Sequence, residues 1–122
     1  MKKKFFSVNV WLSRLRYALN GFVASFKSEQ TVWFHLISTI VVGIAAYWKN
    51  IKGHEIIFLV FASGFVWTAE LFNTAVEKLA DKVTIEYSEQ IKLVKDIAAS
   101  AVLVASIVAV ITGMIIFIPK FF

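Results

Sequence analysis

The chain has 122 residues and a net charge of +5, and 59% of its residues are hydrophobic, with one Pro, five Gly and no Cys. That length suits one domain, and so apolar a composition excludes a disordered segment and disfavours an ordinary soluble domain. The absence of Cys rules out a disulfide framework and a thiolate metal site, while His35 and His54 lie too far apart for a local zinc motif.

The first residues, MKKKFF, look like the basic start of a signal peptide. The apolar run that should follow is interrupted by Ser7, Asn9, Ser13, Arg14 and Arg16, so no cleavable signal is expected. Val8, Leu12, Leu15, Leu19, Phe22 and Phe26 recur instead at helical spacing, with Lys, Arg, Asn and Ser opposite. This pattern predicts an amphipathic helix over about 5–27, lying in a membrane interface.

A first, short membrane span is predicted at 33–48, where only His35, Ser38 and Thr39 interrupt the apolar run and Trp33, Tyr47 and Trp48 stand where interfacial aromatics belong. The polar turn KNIKGHE follows, and a second span is predicted over 56–80. Lys82 to Asp96 is the one long polar stretch, read as a solvated connection or a helix extension. The third span, about 97–118, is the clearest, since Ala98 to Ile118 carry no charge for 21 residues. At 1.5 Å per residue this is about 30 Å, the thickness of a bilayer core. Ala101, Ala105, Ala109 and Gly113 form a small-residue ridge of the kind that lets membrane helices approach closely.

Basic residues flank these runs rather than interleave along a soluble face, so the expected partner is a membrane surface and not nucleic acid. With the N-terminus in the cytoplasm, ten of the thirteen Lys and Arg residues are cytoplasmic, as the positive-inside rule prefers.

The second span ends in unusual chemistry. In ELFNTAVEKLAD, Glu70, Asn73, Glu77 and Asp81 fall on one narrow helical stripe. An acid in a membrane helix costs on the order of 2.5 to 3.5 kcal/mol on insertion scales, and such residues face a bundle interior or a watery cleft. Glu29, at the predicted membrane boundary, is a further acid. Hard divalent cations such as Mg²⁺ take carboxylate oxygens together with substrate phosphates, whereas a desolvated carboxylate free of metal can act as a general base. The plainer alternative is a helix end whose acids pair with Lys78, Lys82 and Lys95. No GxxxxGK[ST], GxGxxG or protein-kinase catalytic loop is present, so a nucleotide would be bound by other means. Lys95 and Asp96 read as a snorkelling anchor and its partner, or as a phosphate contact. His35 reads as a hydrogen-bonded interior histidine, or less readily as a group near an acceptor hydroxyl.

ELFNTAVEKLAD, followed by IEYSE and VKDIAASAVLVA, resembles the signature of the small prokaryotic diacylglycerol kinases, and the resemblance covers essentially the whole chain. It implies an all-α membrane protein of one domain, 1–122, with a surface helix and three spans, assembled as a homotrimeric bundle in the bacterial inner membrane. It implies transfer of the γ-phosphate of ATP to a lipid hydroxyl with Mg²⁺. By the same resemblance Glu70 matches the catalytic base, Glu29 and Glu77 match the metal ligands at the ATP phosphates, and Asn73 matches the amide that organises the cluster with Asp81. Tyr17, Glu86, Tyr87, Lys95 and Asp96 match positions that contact the nucleotide, and His35 and Ser100 fall on the lipid side.

The chain departs from the enterobacterial pattern at Val10, Ser88, Ala98 and Ala99, where that pattern has Arg, His, Gly and Ser. Arg14 or Arg16 could stand in for the first and Ser100 for the last. KDIAAS and His35 are closer to the branch that phosphorylates undecaprenol, so the implied acceptor is diacylglycerol or undecaprenol. The reading from a different class is a small non-catalytic membrane subunit with a structural cation or partner site.

Overall fold

The computed structural model describes residues 7–122, and these form four α-helices without a strand. The signal-like start and the first two positions of the predicted surface helix lie outside this range. Helix α1 is Val8–Ser28, α2 is Gln30–Trp48, α3 is His54–Val83 and α4 is Glu89–Phe121. By length and apolarity α2, α3 and α4 can each cross a membrane.

Helix α1 breaks at one residue. Glu29 is extended (φ −134°, ψ 124°), its N–H bonded 3.2 Å from the Ser25 carbonyl, and the chain turns there from the surface helix into the first span. Val8, Leu12, Leu15 and Leu19 remain exposed along one side of α1. Among the described residues nothing covers that stripe, as suits a helix bedded in the interface of a bilayer.

The turn between α2 and α3 uses Asn50 (φ 54°) and Gly53 (φ 66°) in the left-handed region. With ψ −135° Gly53 occupies a conformation open essentially to glycine alone. Ser88 caps α4, its hydroxyl accepting from the Ile91 N–H at 3.4 Å. At 30 and 33 residues, α3 and α4 are about 45 and 50 Å long and must project beyond a bilayer core. The polar stretch 82–96 is therefore mostly helix extension, interrupted only at 84–88.

Helices α3 and α4 form an antiparallel hairpin, the most extensive packing in the molecule, pinned by Lys95–Asp81 (2.6 Å) at one end and Lys120–Glu55 (3.7 Å) at the other. Near the second end Ala46, Ile51, Leu59 and Ile116 make a small apolar core, with Lys49 over the rings of Trp48 and Phe121. Ala105 of the small-residue ridge is fully covered by α3, which explains its size within one chain. Ala109 and Gly113 line a cavity of about 310 Å³ between α2, α3 and α4.

Helices α1 and α2 are joined to α3 through aromatic rings. Trp67 sits 5.5 Å from Phe22, 6.0 Å from Phe26 and 6.5 Å from His35, and its indole N–H donates to Thr39 Oγ1 at 2.9 Å. The Trp33 indole donates to the Phe26 carbonyl at 2.9 Å, closing α1 onto α2.

Because Ala105 has no free surface, Ala105→Leu should separate α3 from α4 and destabilise the fold by about 1–3 kcal/mol, the usual range for overpacking. Thermal unfolding in detergent micelles measures this, and an unchanged Tm would show that the seam is not close-packed at this point.

Candidate active site

The carboxylate stripe of α3 begins at Glu70, which retains only 1% of its surface. A buried carboxylate without partners is strongly disfavoured, and here both partners come from α2. Thr31 Oγ1 donates to Glu70 Oε1 at 2.6 Å, and His35 Nε2 lies 3.2 Å from Oε2. Thr31 and His35 are four apart and so share one face of α2. The Trp67 and Thr39 contacts hold that face against α3, since the Thr39 hydroxyl also donates to the His35 carbonyl at 2.7 Å.

Glu29 and Glu77 meet at the corner between α1 and α2. Desolvation pushes the Glu29 carboxyl above its ordinary value of 4.5, as do a hydrogen bond shared with Glu77 and the charges of Glu77 and Glu70, while Lys78 opposes the shift. Two carboxylates brought this close are either proton-sharing or cation-holding. Among the described residues no cluster of three or more His, Asp or Glu surrounds a single point. The pair thus offers two hard oxygen donors and leaves other positions to groups outside the protein. One turn before Glu77, the buried Asn73 Oδ1 has no partner among the described residues, and neither has the buried Thr74 hydroxyl.

The remaining residues singled out from sequence divide into two groups. Lys95 pairs with Asp81, as the plainer reading of that acid anticipated, and it also feels the charges of Glu77 and Glu29. Tyr87 and Asp96 line a shallow cleft with Glu89, Gln90, Lys92 and Leu93, and Lys92 bonds Asp96 at 2.6 Å. Glu86 is exposed in the turn before α4. Tyr17 is 70% exposed on α1 and is not drawn to the carboxylates. Ser100 is exposed, its hydroxyl donating to the Ile97 carbonyl at 2.6 Å, so within one chain it does not join Glu70 and His35.

Thr31 was not picked out from sequence, nor were Trp67 and Thr39. The available signal was the spacing of Thr31, two residues after Glu29 and four before His35.

Folding raises the pKa of Glu29, so the folded state holds its proton more tightly than the unfolded chain does. Its carboxyl therefore favours folding in acid and opposes it as pH rises above 4.5 through the raised value. In metal-free detergent solution Glu29→Gln should raise Tm at pH 8 by more than at pH 4. Equal shifts at both pH values would remove the ionisation argument.

The family model described as Prokaryotic diacylglycerol kinase matches residues 16–117. The chain is 34% identical to a diacylglycerol kinase of Synechocystis sp., over 96% of its own length and 71% of the relative's. It is 28% identical to the undecaprenol kinase of Bacillus subtilis, over 93% and 92% of the two chains. It is 29% identical to the diacylglycerol kinase of Escherichia coli K12, over 82% of each. These matches set aside the reading as a non-catalytic subunit. With its three membrane-length helices, the chain belongs to the prokaryotic diacylglycerol kinase family and is a multi-pass membrane lipid kinase acting on an alcohol group.

Proposed function

We propose that the chain transfers the γ-phosphate of ATP to the hydroxyl of a membrane lipid, with Glu70 as the general base. The observation that carries this reading is a carboxylate that is 1% exposed, held by Thr31 and His35, on the same helical stripe as a second carboxylate that meets Glu29. Glu70 takes the proton of the lipid hydroxyl, that oxygen bonds to the γ-phosphorus, the bond to the β-phosphate oxygen breaks, and ADP leaves. Phosphoryl transfer asks a protein mainly for positioning and charge neutralisation, so a soluble-kinase loop is not required.

Glu29 and Glu77 would hold Mg²⁺. The donor set fits that ion: two hard oxygens at a corner that resists two negative charges, and a buried Asn73 Oδ1 nearby without a partner. When bound, Mg²⁺ supplies neutralisation of the phosphate charges. Lys95, already within the field of Glu77 and Glu29, is suited to a phosphate once it leaves Asp81. Tyr87 and Asp96, with Glu86 and Tyr17, are proposed to contact the rest of the nucleotide, and Ser100 to lie on the lipid side.

The acceptor is diacylglycerol or undecaprenol. Identity to the Synechocystis enzyme supports the first, while His35 beside Glu70 and the KDIAAS sequence support the second. A homotrimer in the bacterial inner membrane, with the site facing the cytoplasm, completes the proposal. It is supported by the placement of the basic residues and by the extensive apolar surface that a single chain leaves uncovered.

Glu70→Gln should assemble normally yet lower kcat by about 10²- to 10⁴-fold, the usual contribution of general-base catalysis. Purified protein with labelled ATP and both lipid alcohols in competition reads the rate and the ratio of kcat/KM together. Near wild-type turnover by Glu70→Gln would end the base assignment. Light scattering of the detergent-corrected particle should give three chains, and a fully active monomer would contradict the trimer. Trypsin outside sealed spheroplasts should spare the region 78–95, whereas cleavage there would reverse the orientation.

A further inference from the structure

Thr31 does not bond back along its own helix, as several of the helical hydroxyls do. Ser13, Ser38, Thr39, Thr68 and Thr112 each donate to the backbone carbonyl four residues earlier. Thr31 is the second residue of α2, and four residues earlier the chain is still in α1, beyond the extended Glu29. The usual internal acceptor is thus removed by the break itself. Its hydroxyl crosses instead to another helix and donates to Glu70 Oε1 at 2.6 Å, a short bond of the charge-assisted kind.

From this geometry we infer that Thr31 is a positioning residue for the lipid-kinase reaction. It engages Oε1 of Glu70, leaves the remaining lone pair of Oε2, which also meets His35, to accept the substrate proton, and ties that carboxylate to the turn of chain that carries Glu29. The inference rests on the proposal that Glu70 is the base. A β-branched side chain suits the task, because few rotamers are open to it and little freedom is lost on making the bond. Fixing the carboxylate through the first turn of α2 couples the position of the proton acceptor to that of Glu29, two residues away. Proton transfer and phosphate placement are then registered by one short segment of chain rather than by two independent side chains.

The test compares Thr31→Val, which keeps the shape and loses the donor, with Thr31→Ser, which keeps the donor. In the labelled-ATP assay Thr31→Val should lower kcat roughly ten- to hundredfold, the scale on which misplaced catalytic groups act, with KM for ATP and for lipid changed less than about twofold. Thr31→Ser should restore kcat to within about threefold of the parent. A Thr31→Val enzyme with more than half the parental kcat overturns the inference, and so does a Thr31→Ser enzyme as slow as Thr31→Val, which would show that the hydroxyl donor does not account for the effect. Thermal melts accompany each variant. If Thr31→Val is recovered aggregated, Thr31→Ala is judged by the same criteria. Glu70→Gln in the same assay separates the two levels: an inactive Glu70→Gln beside a fully active Thr31→Val removes only the role of Thr31, whereas an active Glu70→Gln removes the base itself.

Discussion

The buried carboxylate of Glu70 is the constraint on which the rest of the molecule depends. A charge inside a membrane protein is tolerated only where other polar groups replace water. On α3 itself the neighbouring stripe members are acids or an amide, and none of them bonds Glu70. The relief comes from α2, through the Thr31 hydroxyl and the His35 imidazole. Docking of the first span on the second is thereby tied to the chemistry at Glu70, and the aromatic seam of Trp67, Phe22 and Phe26 holds the surface helix in the same arrangement.

The molecule divides into a stiff part and a lighter one. Helices α3 and α4 make the most extensive packing in the molecule and are closed at both ends by ion pairs. Helices α1 and α2 attach through a few rings and hydrogen bonds and meet at the single extended residue Glu29. The hairpin thus carries Glu70, Glu77 and Lys95 of the proposed site, while the α1–α2 pair carries Glu29, Thr31 and His35. A site assembled from both parts is sensitive to how the α1–α2 corner sits on α3. That corner is also where the Glu29 carboxyl is held above its ordinary pKa by burial and by Glu77.

Membership in a family whose named relatives include both diacylglycerol and undecaprenol kinases leaves the acceptor to features inside the membrane. Both alcohols present a hydroxyl at the interface above apolar chains. The membrane-length helices expose many Phe, Ile, Val and Leu side chains, and the hydroxyls among them at Ser38, Thr68 and Thr112 bond back to their own helices. The polar group beside Glu70 Oε2 is the His35 imidazole.

Periodicity and charge alone determined the spans, the surface helix and the stripe from Glu70 to Asp81, because local burial pattern and helical spacing are properties of neighbouring residues. The pairing of Asp81 with Lys95 was also within reach, since a hairpin between adjacent helices brings such residues together. The small-residue ridge was legible as a close-approach surface, but not the helix it meets. Ala105 lies against α3 of its own chain, and only packing could decide that. Thr31 escaped notice because its one signal was its spacing from Glu29 and His35, and its partner is 39 residues away. Tertiary structure alone decided that Glu70 is the innermost member of the stripe, that Glu29 meets Glu77, and that Tyr17 and Ser100 stand apart within one chain. The physical reason is the same in each case: sequence spacing sets which side of a helix a residue occupies, whereas the rotation and depth at which two helices dock set what that side touches.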